Sequence, residues 1–193
     1  MATAAATAVQ PVPLIRLRYL WYVAAALAVM VAAIVVGNLW FLNWVHVMSG
    51  VLWTGIDLFM GFVIGPILRR VDVPVRKAIL TRLTPVTLFL LPTLSIVTGT
   101  AGWFLAVDLG LTRLPWPQFD WIAAALVLVA LMTIQGIGYL LPTSLRICLE
   151  LQKQQPDGAW IGRTMSRFYY VVASQGAMQV AIIVVMARLV TGV

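Results

Sequence analysis

Five long stretches of this chain are continuously apolar, and its polar residues gather between them rather than alternating within them. Each stretch is long enough to cross a bilayer, which takes roughly 18–20 helical residues. Unbroken apolar runs predict helices rather than the period-two strands of a membrane barrel. The spans predicted are about 19–40, 44–68, 83–107, 121–141 and 168–189. The expected fold class is all-α: a polytopic transmembrane bundle of five spanning helices, a four-helix core plus an extra N-terminal helix.

The punctuation between the runs sets the connections. Gly37-Asn38 and Asn43 are the only break signals between the first two runs, so these should form a tight antiparallel hairpin. Residues 69–82, RRVDVPVRKAILTR, read as a basic connection. Pro85 falls in the first turn of the third helix, and Pro92 falls inside it, where a kink is expected. The segment 108–120 carries turn residues and Trp116, with Trp121 following, which reads as an interfacial aromatic cluster. After Pro142, TSLRICLELQKQQ is amphipathic and suits a helix continuing beyond the membrane; Asp157 is placed to cap the segment after it.

Composition agrees with this pattern. Hydrophobic residues make up 62% and charged residues 10%, where a soluble domain carries about a quarter charged. The mean hydropathy is +0.99. A net charge of +7 would suggest a nucleic-acid partner in a soluble protein. Here, eleven of the 13 Lys and Arg fall on one side of the five-helix arrangement, and only Arg113 and Arg188 on the other. This is a topology signal and argues for no nucleic acid. It predicts a multi-pass protein of a bacterial cytoplasmic (inner) membrane, with the N-terminus cytoplasmic and the C-terminus outside. Residues 1–18 read as a short cytoplasmic tail, not a signal peptide, and 19–193 as a single membrane domain. The single cysteine, Cys148, excludes an internal disulfide and any multi-cysteine metal site.

The candidate chemistry lies in the second span. It holds the chain's only histidine, His46, and a mid-membrane carboxylate, Asp57. Ionisable residues inside a membrane are costly and mark function or a compensating partner. The two are 11 residues apart, nearly three turns, on a face shared with Gly50, Trp53 and Gly61. Their axial separation is about 16 Å, too far for a direct hydrogen bond. His46 has two readings: an axial ligand to heme iron, with Gly50 leaving room for the porphyrin, or an interfacial histidine bonded to a neighbouring helix. With no second histidine, such a heme would be five-coordinate, methionine-ligated or shared between subunits. Arg188 would reach a propionate, or else snorkel to the interface. Asp57 is either proton-handling or cation-binding, or locks helix packing. Its candidate partners are Ser95, Thr98, Gln135, Ser174, Gln175 and Gln179. Gly61 and Gly65 form a small-residue pair suited to close helix packing. The methionines are scattered among helices and read as core or lipid-facing rather than as copper ligands.

Residues 39–70, LWFLNWVHVMSGVLWTGIDLFMGFVIGPILRR, resemble the opening helix of a group of small bacterial membrane proteins. The group includes CopD-type copper-resistance proteins and HemJ-type protoporphyrinogen oxidases. The shared pattern is a histidine (His46), then Trp-x-Gly seven residues on (Trp53-Thr54-Gly55), then Gly65-Pro66 through Arg69-Arg70. Residues 76–99 look like the group's next helix. The resemblance implies a four-helix bundle, a heme b cofactor and His46 as its iron ligand. HemJ-type enzymes also carry a functional lysine early in the third family helix, and 119–128 has none. Asp57 stands where members carry a small or apolar residue. The resemblance therefore does not carry the oxidase activity over.

Three functions are expected on these grounds. The first is a heme-b-associated protein linked to membrane redox or electron transfer. The second is a non-catalytic accessory or scaffold subunit, partnered by other membrane subunits or by its own copies. The third is transport of copper or of a small solute coupled to protons, resting on Asp57.

Overall fold

A computed structural model describes residues 17–191. Residues 1–16, most of the expected cytoplasmic tail, lie outside the described residues. The described chain is a bundle of five long helices without strands. They are α1 (Tyr19–Val36), α2 (Leu39–Arg70), α3 (Val73–Asp108), α4 (Phe119–Gln152) and α5 (Gly158–Thr191). All five are long and apolar enough to cross a membrane, and large apolar side chains such as Trp21, Phe62 and Ile134 face outward from the bundle. This is the architecture of a membrane-embedded helix bundle.

The predicted hairpin is tighter than its break signals suggested. α1 ends at Gly37, whose φ of 66° is the left-handed conformation that glycine adopts without strain. Asn38 then caps α2, its Oδ1 accepting from the Phe41 N–H at 3.0 Å. Asn43 therefore breaks nothing, and α2 starts at Leu39.

Three helices run well past the predicted spans. α3 begins at Val73 rather than near 83, leaving only Val71 and Asp72 as a link. Most of the basic segment 69–82 is thus helix. Pro74 sits in the first turn, where its missing N–H costs nothing. Arg76 folds back to donate to the carbonyls of Leu68 (2.7 Å), Arg69 and Val71 (both 3.3 Å), closing the end of α2. Pro85 is consequently interior to α3, like Pro92. α4 continues past Pro142 to Gln152. α5 begins at Gly158, with Asp157 Oδ1 accepting from Trp160 N–H at 2.9 Å. α2, α3 and α4 have 32, 36 and 34 residues, or about 48–54 Å at 1.5 Å per residue. They exceed the roughly 30 Å hydrocarbon layer and carry their Arg and Lys at one end of the bundle.

α2 packs along α3, and α4 along α5; α3 also meets α1 and the far half of α4, and α5 closes against α2. This packing builds three core layers. Met30, Ala33, Leu42, Val45, Val97 and Ala101 join α1, α2 and α3. Trp53, Leu94 and Met132 form the middle. Ile147, Leu151, Ile161 and Met165 hold the basic end.

Two helices change winding between the middle layer and the basic end. α2 passes through a π turn at Met60–Ile64, and α4 through another at Gly136–Leu140. Gly65 N–H bonds to Met60 O and Leu141 N–H to Gly136 O, each reaching five residues back. In both helices the next residue is proline, Pro66 and Pro142. A proline cannot donate to the carbonyl four residues earlier, and the wider turn absorbs that mismatch.

Candidate functional site

Asp57 lies just before the α2 π turn, about 27 Å from the start of α2 and about 20 Å from its end. Its Oδ2 accepts from Gln179 Nε2 at 2.7 Å. Gln175 and Trp53 lie beside the same carboxylate. Gln175 and Gln179 are one turn apart, so α5 presents both amides on one face. They are 3% and 1% exposed. The third glutamine, Gln135, lies immediately before the α4 π turn and donates to Ser174 Oγ at 2.8 Å. Ser174 donates in turn to Val171 O. Trp53, Asp57, Gln175 and Gln179 therefore form one cluster, with Gln135 and Ser174 at its edge.

Two openings meet at Asp57. A cavity of about 160 Å³ runs between α2, α3, α4 and α5. Its wall includes Asp57, Trp53, Ser95, Thr133 and Gln175, and otherwise it is mainly apolar. Met60, Met132, Met165 and Cys148 also reach this wall, so sulfur atoms that look scattered in the sequence converge here. A second opening, about 620 Å³, runs along the α2–α5 groove from Asp57 to Arg69 and Arg76 at the basic end. Gly61 and Gly65 floor the contact between these helices. A β-carbon at Gly61 would lie 3.2 Å from Val172, and one at Gly65 would lie 3.0 Å from the Tyr169 ring. The Arg69 guanidinium stacks over the same ring, 4.9 Å from its centroid.

His46 belongs to a different contact. Its Nδ1 donates to the Thr98 carbonyl of α3 at 2.9 Å. One turn on, Thr98 Oγ1 donates to Ser49 Oγ at 2.9 Å, and Ser49 donates to Val45 O. Gly102 makes this possible: a β-carbon there would lie 2.6 Å from His46 Cε1 and 2.8 Å from Nδ1. The stripe His46, Gly50, Trp53, Asp57, Gly61 thus has two neighbours. Its first part faces α3 and its second part faces α5.

Comparison with protein-family models, curated proteins and solved structures found no match for this chain. The heme implied by residues 39–70 is therefore judged on geometry. The bond from Nδ1 to Thr98 leaves only Nε2 for a metal, as in many metal-bound histidines. The remaining residues do not gather around it. The space beside Gly50 is taken by Thr98, whose Cγ2 lies 3.4 Å from a β-carbon position there. Trp53 is 5% exposed and packed in the core with Leu94 and Met132. Arg188 stacks on Trp121, 5.4 Å from the ring centroid. His46, Gly50, Trp53 and Arg188 do not form a porphyrin cradle within one chain. Thr98, expected as a partner of Asp57, serves His46 and Ser49 instead. Among the described residues, no group of three His, Cys, Asp or Glu could hold a metal ion.

The sequence pointed to Asp57 and to six candidate partners, of which Gln179 donates to it. It did not point to the openings or the π turns. The available signal for the turns was a proline closely following glycines within an apolar run, at Gly65-Pro66 and again at Gly136 to Pro142.

Proposed function

We propose that this chain is an inner-membrane protein that handles protons at Asp57 and couples them to the passage of a small solute. The observation that carries this reading is the position of Asp57. A carboxylate held by Gln179, with Gln175 and Trp53 beside it, stands where an inter-helix cavity meets a groove to the basic end. With the basic end cytoplasmic, by the positive-inside rule, the groove gives protons and small solutes a route from the cytoplasm to mid-membrane. A carboxylate there is costly unless it is used or fully satisfied. The two π turns beside it suit a site that rearranges, since such turns recur at functional positions. Heme-linked electron transfer draws no comparable support, because the residues expected around His46 are spent on packing.

The test is infrared difference spectroscopy of the reconstituted protein on acidification. The wild type should gain a carboxylic-acid C=O band above the amide I region, and Asp57→Asn should lose it. Identical wild-type and Asp57→Asn spectra would overturn the reading.

A further inference from the structure

We infer that the solute at Asp57 is a small monovalent cation, an alkali metal ion or a protonated amine, bound in exchange for the proton. This rests on the proton-handling reading of Asp57 above. A glutamine that donates from Nε2 must present Oε1 elsewhere. Gln179 turns its nitrogen to Asp57, Gln175 lies beside the same carboxylate, and the Oε1 atoms of both are buried without a hydrogen-bond partner. Gln135 Oε1 is in the same state. Buried acceptors left unpaired are costly, and more so in a membrane. Gln175 lines the cavity beside Asp57, with the hydroxyls of Ser95 and Thr133 on the same wall. What this cluster lacks is positive charge or donors, and a cation supplies the charge its oxygens would coordinate.

The charge and donor types narrow the class. Among the described residues, Asp57 is the only carboxylate lining either opening, and amide and hydroxyl oxygens add dipoles but no charge. One positive charge neutralises the site, whereas a divalent ion would leave net charge in the hydrocarbon layer. Oxygen donors suit hard cations. The other titratable or charged groups facing these openings are Arg69 and Arg76 at the rim, Tyr169 and Tyr170 on the groove wall, and Cys148 farther along the cavity. None is a second acid that could take the proton in place of Asp57. Proton and cation therefore compete for one carboxylate. The amides serve either state: Gln175, on the cavity wall, has its Oε1 free for the ion, and a turned amide accepts from the protonated acid.

The test is thermal unfolding of the full chain in nanodiscs, titrated at constant ionic strength. The salts are NaCl, KCl, methylammonium chloride, MgCl₂ and the bulky N-methylglucamine chloride. At least one small monovalent ion should raise the melting temperature by several degrees at saturation, N-methylglucamine should not, and the preferred ion separates metal from amine sources. Gln175→Met should weaken that ion about tenfold or more, and Asp57→Asn should abolish the effect. Should Asp57→Asn not fold, acidification of the wild type serves instead. Apparent affinity should fall by about tenfold per pH unit where the carboxylate is protonated. No stabilising monovalent ion, a stronger effect of Mg²⁺, or an ion effect retained in Asp57→Asn would overturn the inference. If the infrared band still titrates, the proton-handling reading stands while the cation inference falls; if the band is also missing, both fall.

Discussion

Adding one methyl group at Gly102 tests the α2–α3 contact most sharply. In Gly102→Ala the new carbon would lie 2.6 Å from His46 Cε1 and 2.8 Å from Nδ1. Neither helix can yield easily at that level, since Ala101 is fully buried beside it and Thr98 is bonded to both His46 and Ser49. The imidazole must move, and the His46–Thr98 bond goes with it. Overpacking costs about 1–3 kcal/mol and a lost hydrogen bond about 1 kcal/mol, so the variant should lose about 2–4 kcal/mol. The assay is reversible denaturant unfolding in bicelles, monitored by tryptophan fluorescence. His46→Ala alone should also destabilise, by opening a cavity and losing the same bond. The double variant should cost clearly less than the two singles together, because the methyl then occupies space the ring has left. A Gly102→Ala protein within about 0.5 kcal/mol of the wild type, or strict additivity in the double variant, would refute the packing role of His46.

The other expectations concern the groove and the cofactor. Gly65→Ala should cost about 1–3 kcal/mol in the same unfolding assay, because its β-carbon would meet the Tyr169 ring at 3.0 Å and Met60 O at 3.3 Å; stability equal to the wild type would contradict the close α2–α5 contact. Protein purified from heme-replete cells should show no Soret band, and a Soret band lost in His46→Ala would reverse the reading of His46.

Some of this architecture was readable from the residue pattern because one physical cause dominates it. Apolar runs must cross the bilayer as helices, so their number and the connection after Gly37 were legible. Where the helices end was not. Hydropathy marks the apolar part of α3 but not residues 73–82, which are helical because Pro74 starts a turn and Arg76 closes the preceding helix. Asp57 stood out because a carboxylate in lipid needs partners, and Gln179, which donates to it, was one of six candidates at similar depth. The role of Gly50 was not legible: spacing along one helix shows a notch, but only the neighbouring helix shows that Thr98 fills it. The π turns arise from a mismatch between backbone donors and acceptors at Pro66 and Pro142, which leaves no trace in hydropathy.

In the proposed exchange, the Asp57 carboxylate gives up a proton to take a small cation. Proteoliposomes enclosing a pH-sensitive dye, given an inward gradient of the stabilising cation, measure this directly. The wild type should move protons outward as the cation enters, and Asp57→Asn, folded and equally incorporated, should give a flat trace. Equal proton movement from the two proteins, or none from the wild type, would rule out proton–cation exchange at Asp57.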